Sequence, residues 1–157
     1  MKLIITTIFG VLISLNAYAL DITLNGNDSI TINMNNHIKK LDFDTVINGY
    51  VVKCSGEKLI IWGKPKVINE GNPQDTNVII VDLVHGYTRI EKGVGEGVFH
   101  IDFIKNKSYA YVETNQGLFL NLINGRLSSA SPEFDPTDES NFEQCKKNSS
   151  WEFNRYP

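Results

Sequence analysis

From Asn77 to Leu127 the chain consists of strand-length apolar segments separated by turns too short to cross a sheet. Val78 to Val84 is a β-branched strand, and Tyr87 to Glu91 follows it across the His85-Gly86 turn. Gly93, Gly95 and Gly97 then loosen the chain. Phe99, Ile101 and Phe103 share one face of the next segment, with His100 and Asp102 on the other. Lys105-Asn106-Lys107 turns into Ser108 to Thr114, and Asn115-Gln116-Gly117 turns again into Leu118 to Ile123, which Asn124-Gly125 closes. Parallel neighbours would need crossovers of a dozen residues or more, so these strands form an antiparallel meander.

The first half repeats the pattern. Ile22 and Leu24 alternate with Asp21 and Thr23, and Ile30, Ile32 and Met34 alternate with Thr31 and Asn33. Asn25-Gly26-Asn27-Asp28 between them predicts a hairpin. Tyr50 to Cys54 and Lys58 to Trp62, joined by Ser55-Gly56-Glu57, predict a second one, while Lys64 to Asn77 predicts a loop. Late in the chain one short helix is expected. Asp135 can cap it, Pro136 suits its first position, Lys146 and Lys147 suit its last turn, and Asn148 can end it. The tail from Trp151 to Tyr156 predicts a last edge strand. The fold expected is therefore all-β: one antiparallel meander domain over residues 20–157, as a barrel, a sandwich or a partial-propeller sheet, with one short C-terminal helix.

Residues 1–19 have the three-part layout of a signal peptide. Lys2 gives a positive start, Leu3 to Leu15 an apolar run, and Ala17-Tyr18-Ala19 a small-x-small cleavage site. The expected location is periplasmic or secreted. The formal net charge is −3, and removal of Lys2 makes it one unit more negative. That sign argues against nucleic acid or an anionic membrane surface as partner, and no later apolar run is long enough to insert in a membrane. The two cysteines, Cys54 and Cys145, are the number one disulfide requires in an exported chain. Closing so long a loop stabilises by about 4–5 kcal/mol in the chain-entropy model.

Signs of catalysis are weak. Gly93-Val94-Gly95-Glu96-Gly97 leads into a strand rather than a helix, so it reads as a turn and not as a phosphate loop. His100 with Asp102, and His85 three residues after Asp82, are consistent with the polar face of a half-buried strand. No Gly-x-Ser-x-Gly elbow occurs, and oxidised cysteines offer no thiol nucleophile. No catalytic residue, metal ligand or cofactor is assigned.

From Ser128 to Gln144 there is no Lys or Arg, but there are Glu133, Asp135, Asp138, Glu139 and Glu143. Such a stretch is either a solvated loop or a surface complementary to a cationic partner. Trp151, Arg155 and Tyr156 are residue types that dominate interfaces, and a terminal strand docked on its own core uses them equally. The expected partner-binding residues are Glu133, Asp135, Asp138, Glu139 and Trp151. In layout (signal peptide, small β-rich domain, a single disulfide) the chain resembles the periplasmic immunity proteins kept against exported cell-wall-degrading toxins, as in type VI secretion. Tyr50 to Gly56 also looks like the opening of periplasmic lysozyme inhibitors, although their Ser-Gly-x-x-Tyr loop has no counterpart here. The resemblance implies a non-enzymatic protein that binds and neutralises a partner protein, a basic cell-wall hydrolase. The alternative is a periplasmic β-barrel that carries a small ligand.

Overall fold

The structure, a computed structural model, describes residues 20–145 and 149–153. Residues 1–19, expected to be a signal peptide, together with Lys146 to Asn148 and the tail beyond Phe153, lie outside the described residues. Among the described residues, twelve strands form three antiparallel sheets. The first contains β1 (Leu20–Asn25), β2 (Ser29–Met34) and β3 (His37–Asp42) in sequential order. The second contains β4 (Thr45–Val52), β5 (Lys58–Pro65), β6 (Thr76–Asp82) and β7 (Arg89–Val94), with β12 (Ser150–Glu152) on the outer edge of β4. The third is β8 (His100–Phe103), β9 (Tyr109–Glu113), β10 (Leu118–Asn121) and β11 (Leu127–Ser129).

The second sheet is the middle layer, and its composition shows why. Tyr50, Val52, Leu59, Ile61, Ile79 and Val81 point to one side and pack with Ile30, Ile32 and Leu41 of the first sheet. Val51, Ile60, Trp62, Val78 and Ile80 point to the other and pack with Ile101, Phe103, Val112 and Leu120 of the third. A strand covered on both faces needs apolar residues at consecutive positions, which accounts for the unbroken runs Leu59–Trp62 and Val78–Val81. The outer sheets need them only at alternate positions. The sheets are open and stacked as layers, so the barrel form of the expected fold does not occur and the sandwich form describes it.

The two expected hairpins are present, with Ile22 opposite Ile32 and Val52 opposite Leu59. The expected loop is shorter than its sequence suggests, because β5 continues to Pro65 and β6 starts at Thr76. One strand had no apolar signature. In β3 only Leu41 is buried, yet Met34 and His37 pair across Asn35 and Asn36, whose positive φ values of 52° and 65° make a tight hairpin turn. Phe99, expected to share a buried face with Ile101 and Phe103, precedes the strand and is exposed.

The C-terminal helix is corrected. Residues 139–141 form only a single 3-10 turn. Asp135 accepts from the backbone N–H of Thr137 at 2.8 Å, and Asp138 from that of Ser140 at 3.0 Å. These local bonds compete with helix propagation. Just beyond, Phe142 bridges to Ile104 and the Glu143 N–H donates to the Phe103 carbonyl at 2.9 Å, which draws the chain into extended geometry. Cys54 and Cys145 form the expected disulfide, with Cα atoms 5.1 Å apart. It pins this acidic segment, rather than a helix, to the end of the β4–β5 hairpin.

Candidate functional site: an acidic ridge and cleft

The acidic segment is fixed to the outside of the third sheet by aromatic residues. Tyr111 of β9 and Phe119 of β10 are register partners whose side chains point away from the core. Phe134 and Phe142 come down onto them, at centroid separations of 5.3 Å for Phe134–Tyr111 and 6.1 Å for Phe142–Tyr111. The Phe134 and Phe142 rings are themselves 5.8 Å apart. Four rings in offset and edge-on contact are a satellite core beneath the loop. Backbone bonds complete the docking: Lys105 N–H donates to the Asn141 carbonyl at 2.9 Å, and Asn141 Nδ2 donates to the Asp135 carbonyl at 2.9 Å.

With the phenylalanines turned inward, Glu133, Asp135, Asp138 and Glu139 are left exposed on one short segment, here called the ridge. The Thr137 hydroxyl and amide hold the Asp135 carboxyl below its ordinary range. Glu143 instead turns toward the disulfide and accepts a hydrogen bond from the Cys54 N–H at 2.9 Å. Beside it lies a cleft of about 390 Å³ whose lining includes Asp102, Glu139, Glu143, Phe142, Cys145 and Ser150. Of the three carboxylates that line it, Asp102 pairs with His100 and Glu143 accepts from Cys54, which leaves Glu139 as the exposed one. Cys54, Glu143 and Cys145 are close enough in space to suggest a metal site, but both sulfurs are committed to the disulfide.

Trp151, the other expected partner-binding residue, is not on the ridge. It faces the first-sheet side of the middle layer, half-buried and stacked on Tyr50 at 6.3 Å. Two of the three histidines pair with carboxylates. His85 pairs with Asp82 at 3.1 Å. His100 Nε2 lies 3.1 Å from Asp102, and its Nδ1 lies 2.7 Å from Glu152. These carboxylates, Asp102 first, raise its pKa to about 9 against the opposing effect of burial. An imidazole held charged between two acceptors has no free lone pair for base catalysis. Gly95 and Gly97 lie in the connection between β7 and β8, and Gly95 accepts from Asn72 Nδ2 at 2.9 Å. The expected turn is therefore shorter than its sequence suggests, since Gly93 and Val94 belong to β7.

Sequence reasoning did not pick out the aromatic tether, the inward role of Glu143 or the pairing of His100 with Glu152. The one visible signal was a pair of phenylalanines, Phe134 and Phe142, inside an otherwise acidic stretch. No helix among the described residues is long and apolar enough to cross a membrane, and the disulfide fits an oxidising compartment. Comparison with protein-family models, with curated proteins and with solved structures gave no match.

Proposed function

We propose that this chain is an exported, non-enzymatic protein that binds and neutralises a basic partner protein, a cell-wall hydrolase, in the manner of a periplasmic immunity protein. The observation that carries the reading is the aromatic mounting of the acidic ridge on the third sheet. Four exposed carboxylates on a floppy loop would be ordinary solvated surface. The same four on an aromatic platform keep their geometry before a partner arrives, which reduces the entropic cost of docking. Charge along the ridge steers a basic partner and disfavours acidic ones. The adjoining cleft then receives a Lys or Arg side chain of the partner, and occlusion of the hydrolase cleft is steric.

The alternative carrier relied on the lumen of a closed barrel. The sheets here are open, and large side chains fill the spaces between the layers, so the binding reading is the better supported.

The test is a binding titration against the basic hydrolase at several salt concentrations, using wild type and the combined variant Glu133→Lys, Asp135→Lys, Asp138→Lys, Glu139→Lys. The expected result is at least tenfold weaker binding for the variant and loss of the salt dependence. Unchanged affinity and unchanged salt dependence would remove the ridge from the interface.

A further inference from the structure

The last described strand, β12, is preceded by a disulfide to its own sheet and tied to the third sheet by one side chain. Upstream, Cys145 is bonded to Cys54. Downstream, Glu152 meets His100 of β8, a strand of the third sheet. His100 is placed by packing. Its ring stands edge-on to Trp62 of β5 with centroids 6.1 Å apart. Trp62 in turn lies so close over Gly49 of β4 that a Cβ there would overlap the indole. The imidazole is therefore fixed between the middle and third layers, with one nitrogen toward Asp102 on its own strand and the other toward Glu152.

We propose that His100 is a charge latch: its imidazolium, clamped between Asp102 and Glu152, holds β12 on the edge of β4, and loss of that charge releases the strand.

The surroundings make the latch depend on charge rather than on shape. Among the described residues, the charged groups placed around it are acidic. Asp102 and Glu152 touch the ring, Glu113 of β9 stands opposite His100 in register, and Glu139 and Glu143 share the cleft that Asp102 lines. A neutral imidazole can donate to only one of Asp102 and Glu152, so the other carboxylate loses its hydrogen bond and both lose their common counter-ion. Beyond the disulfide upstream, the described contacts that keep β12 in place are few. It is three residues long, and besides the ladder its backbone adds a bond on either side, Val52 N–H to the Ser149 carbonyl and Phe153 N–H to the Asn48 carbonyl. Of its side chains only Trp151 packs on the core.

Release has two consequences. Gly49 to Val51 lose their edge partner, which bares part of a middle-layer strand whose side chains are apolar on both faces. An uncovered edge of that kind is a template for pairing with another chain. Ser149 and Ser150 also line the acidic cleft, so that wall leaves with the strand. This second consequence bears on partner binding only if the function proposed above is correct. The latch itself does not depend on that function.

The chain has two tryptophans, which makes the test direct. In protein labelled with ¹³C at tryptophan, the ring C–H resonances of Trp151 report the docking of β12, and those of Trp62 report the core. Between pH 7 and 10, the Trp151 signals of wild type should move from docked to solvent-like positions with a midpoint near pH 9, where His100 loses its proton, while the fold stays intact. His100→Gln should show solvent-like Trp151 signals already at pH 7, with no titration above it. Glu152→Gln removes one clamp without touching the Trp62 contact. It should loosen Trp151 at pH 7 while leaving the dispersed spectrum of a folded core. Docked Trp151 signals in both variants at pH 7, or no wild-type transition up to pH 10, would overturn the latch. Hydrolase binding is not read in this experiment, so failure of the functional proposal would leave its result unchanged.

Discussion

The ring of Phe134 stands edge-on to Phe119, with centroids 5.0 Å apart and planes at 82°. This contact joins an acidic segment to a sheet whose outer surface would otherwise carry exposed aromatics. It also makes the ridge a surface of fixed shape. Phe134→Ala should leave every charge in place while untethering the segment. Two or three ring contacts at about 0.5–1.5 kcal/mol each give a loss of about 2 kcal/mol, measurable by urea unfolding. Partner affinity should fall with it, mainly through faster dissociation. A variant with unchanged unfolding midpoint would mean that the tether is not needed to hold the segment.

The disulfide should be a major source of stability. It closes a loop of sequence separation 91. The paired change Cys54→Ser, Cys145→Ser is expected to cost about 4–5 kcal/mol in the chain-entropy estimate, less whatever structure the unfolded chain retains. Denaturant unfolding of oxidised and double-serine protein would show it as a lower midpoint. A difference below about 1 kcal/mol would contradict the estimate and place the stability in the three-layer core alone.

Gly49 is required by Trp62. It lies next to the register shift in the β4–β5 ladder, and the indole occupies the space where a side chain would start. Gly49→Ala should displace the Trp62 ring or bend β4, at a cost of about 1–3 kcal/mol for overpacking. Because His100 rests against the same ring, the substitution should also lower the pH at which Trp151 is released. Crystallography or the tryptophan resonances would show whether Trp62 has moved.

Asp82 sets the acid limit of the β6–β7 turn. Burial alone would raise its pKa. The Lys58 ammonium at 2.6 Å and the amides of His85 and Val84 outweigh it and hold the carboxyl well below its ordinary value of 3.8. A carboxyl depressed in the folded state stabilises above its unfolded pKa, and that contribution falls away as the pH drops below it. His100 has the opposite sign. Its raised pKa stabilises fully below about 6.5, and the contribution declines until it is lost at about 9. Unfolding free energies measured across the pH range should therefore decline on both sides. Asp82→Asn should flatten the acid side alone, and His100→Gln the alkaline side alone.

How legible this fold was in the sequence depended on how each strand is buried. The meander from Tyr109 to Asn121 could be read because its turns are short and its buried residues alternate. The unbroken runs in β5 and β6 carried a signal for two-sided burial, but a run of that kind does not say which sheets cover it. β3 was missed because an exposed edge strand needs few apolar residues, and only Leu41 is buried in it. The late helix failed because capping residues describe a local preference, while Phe134 and Phe142 belong to a distant platform on β9 and β10. For the same reason the acidic residues of the ridge were visible as a group, whereas the partnership of His100 with Glu152 was not. Those residues are 52 positions apart and lie on different sheets.

The central claim is that the acidic ridge delivers this protein onto a basic cell-wall hydrolase and stops it. The most direct measurement is the rate of peptidoglycan hydrolysis by such an enzyme, recovered in complex with the wild-type protein, as purified protein is titrated back into it. The account predicts that turnover falls to background at one equivalent of wild type. It also predicts that the variant with lysine at positions 133, 135, 138 and 139 leaves turnover intact at the same concentration. A hydrolase that keeps its full rate with wild type bound, or that both proteins inhibit equally, would contradict it.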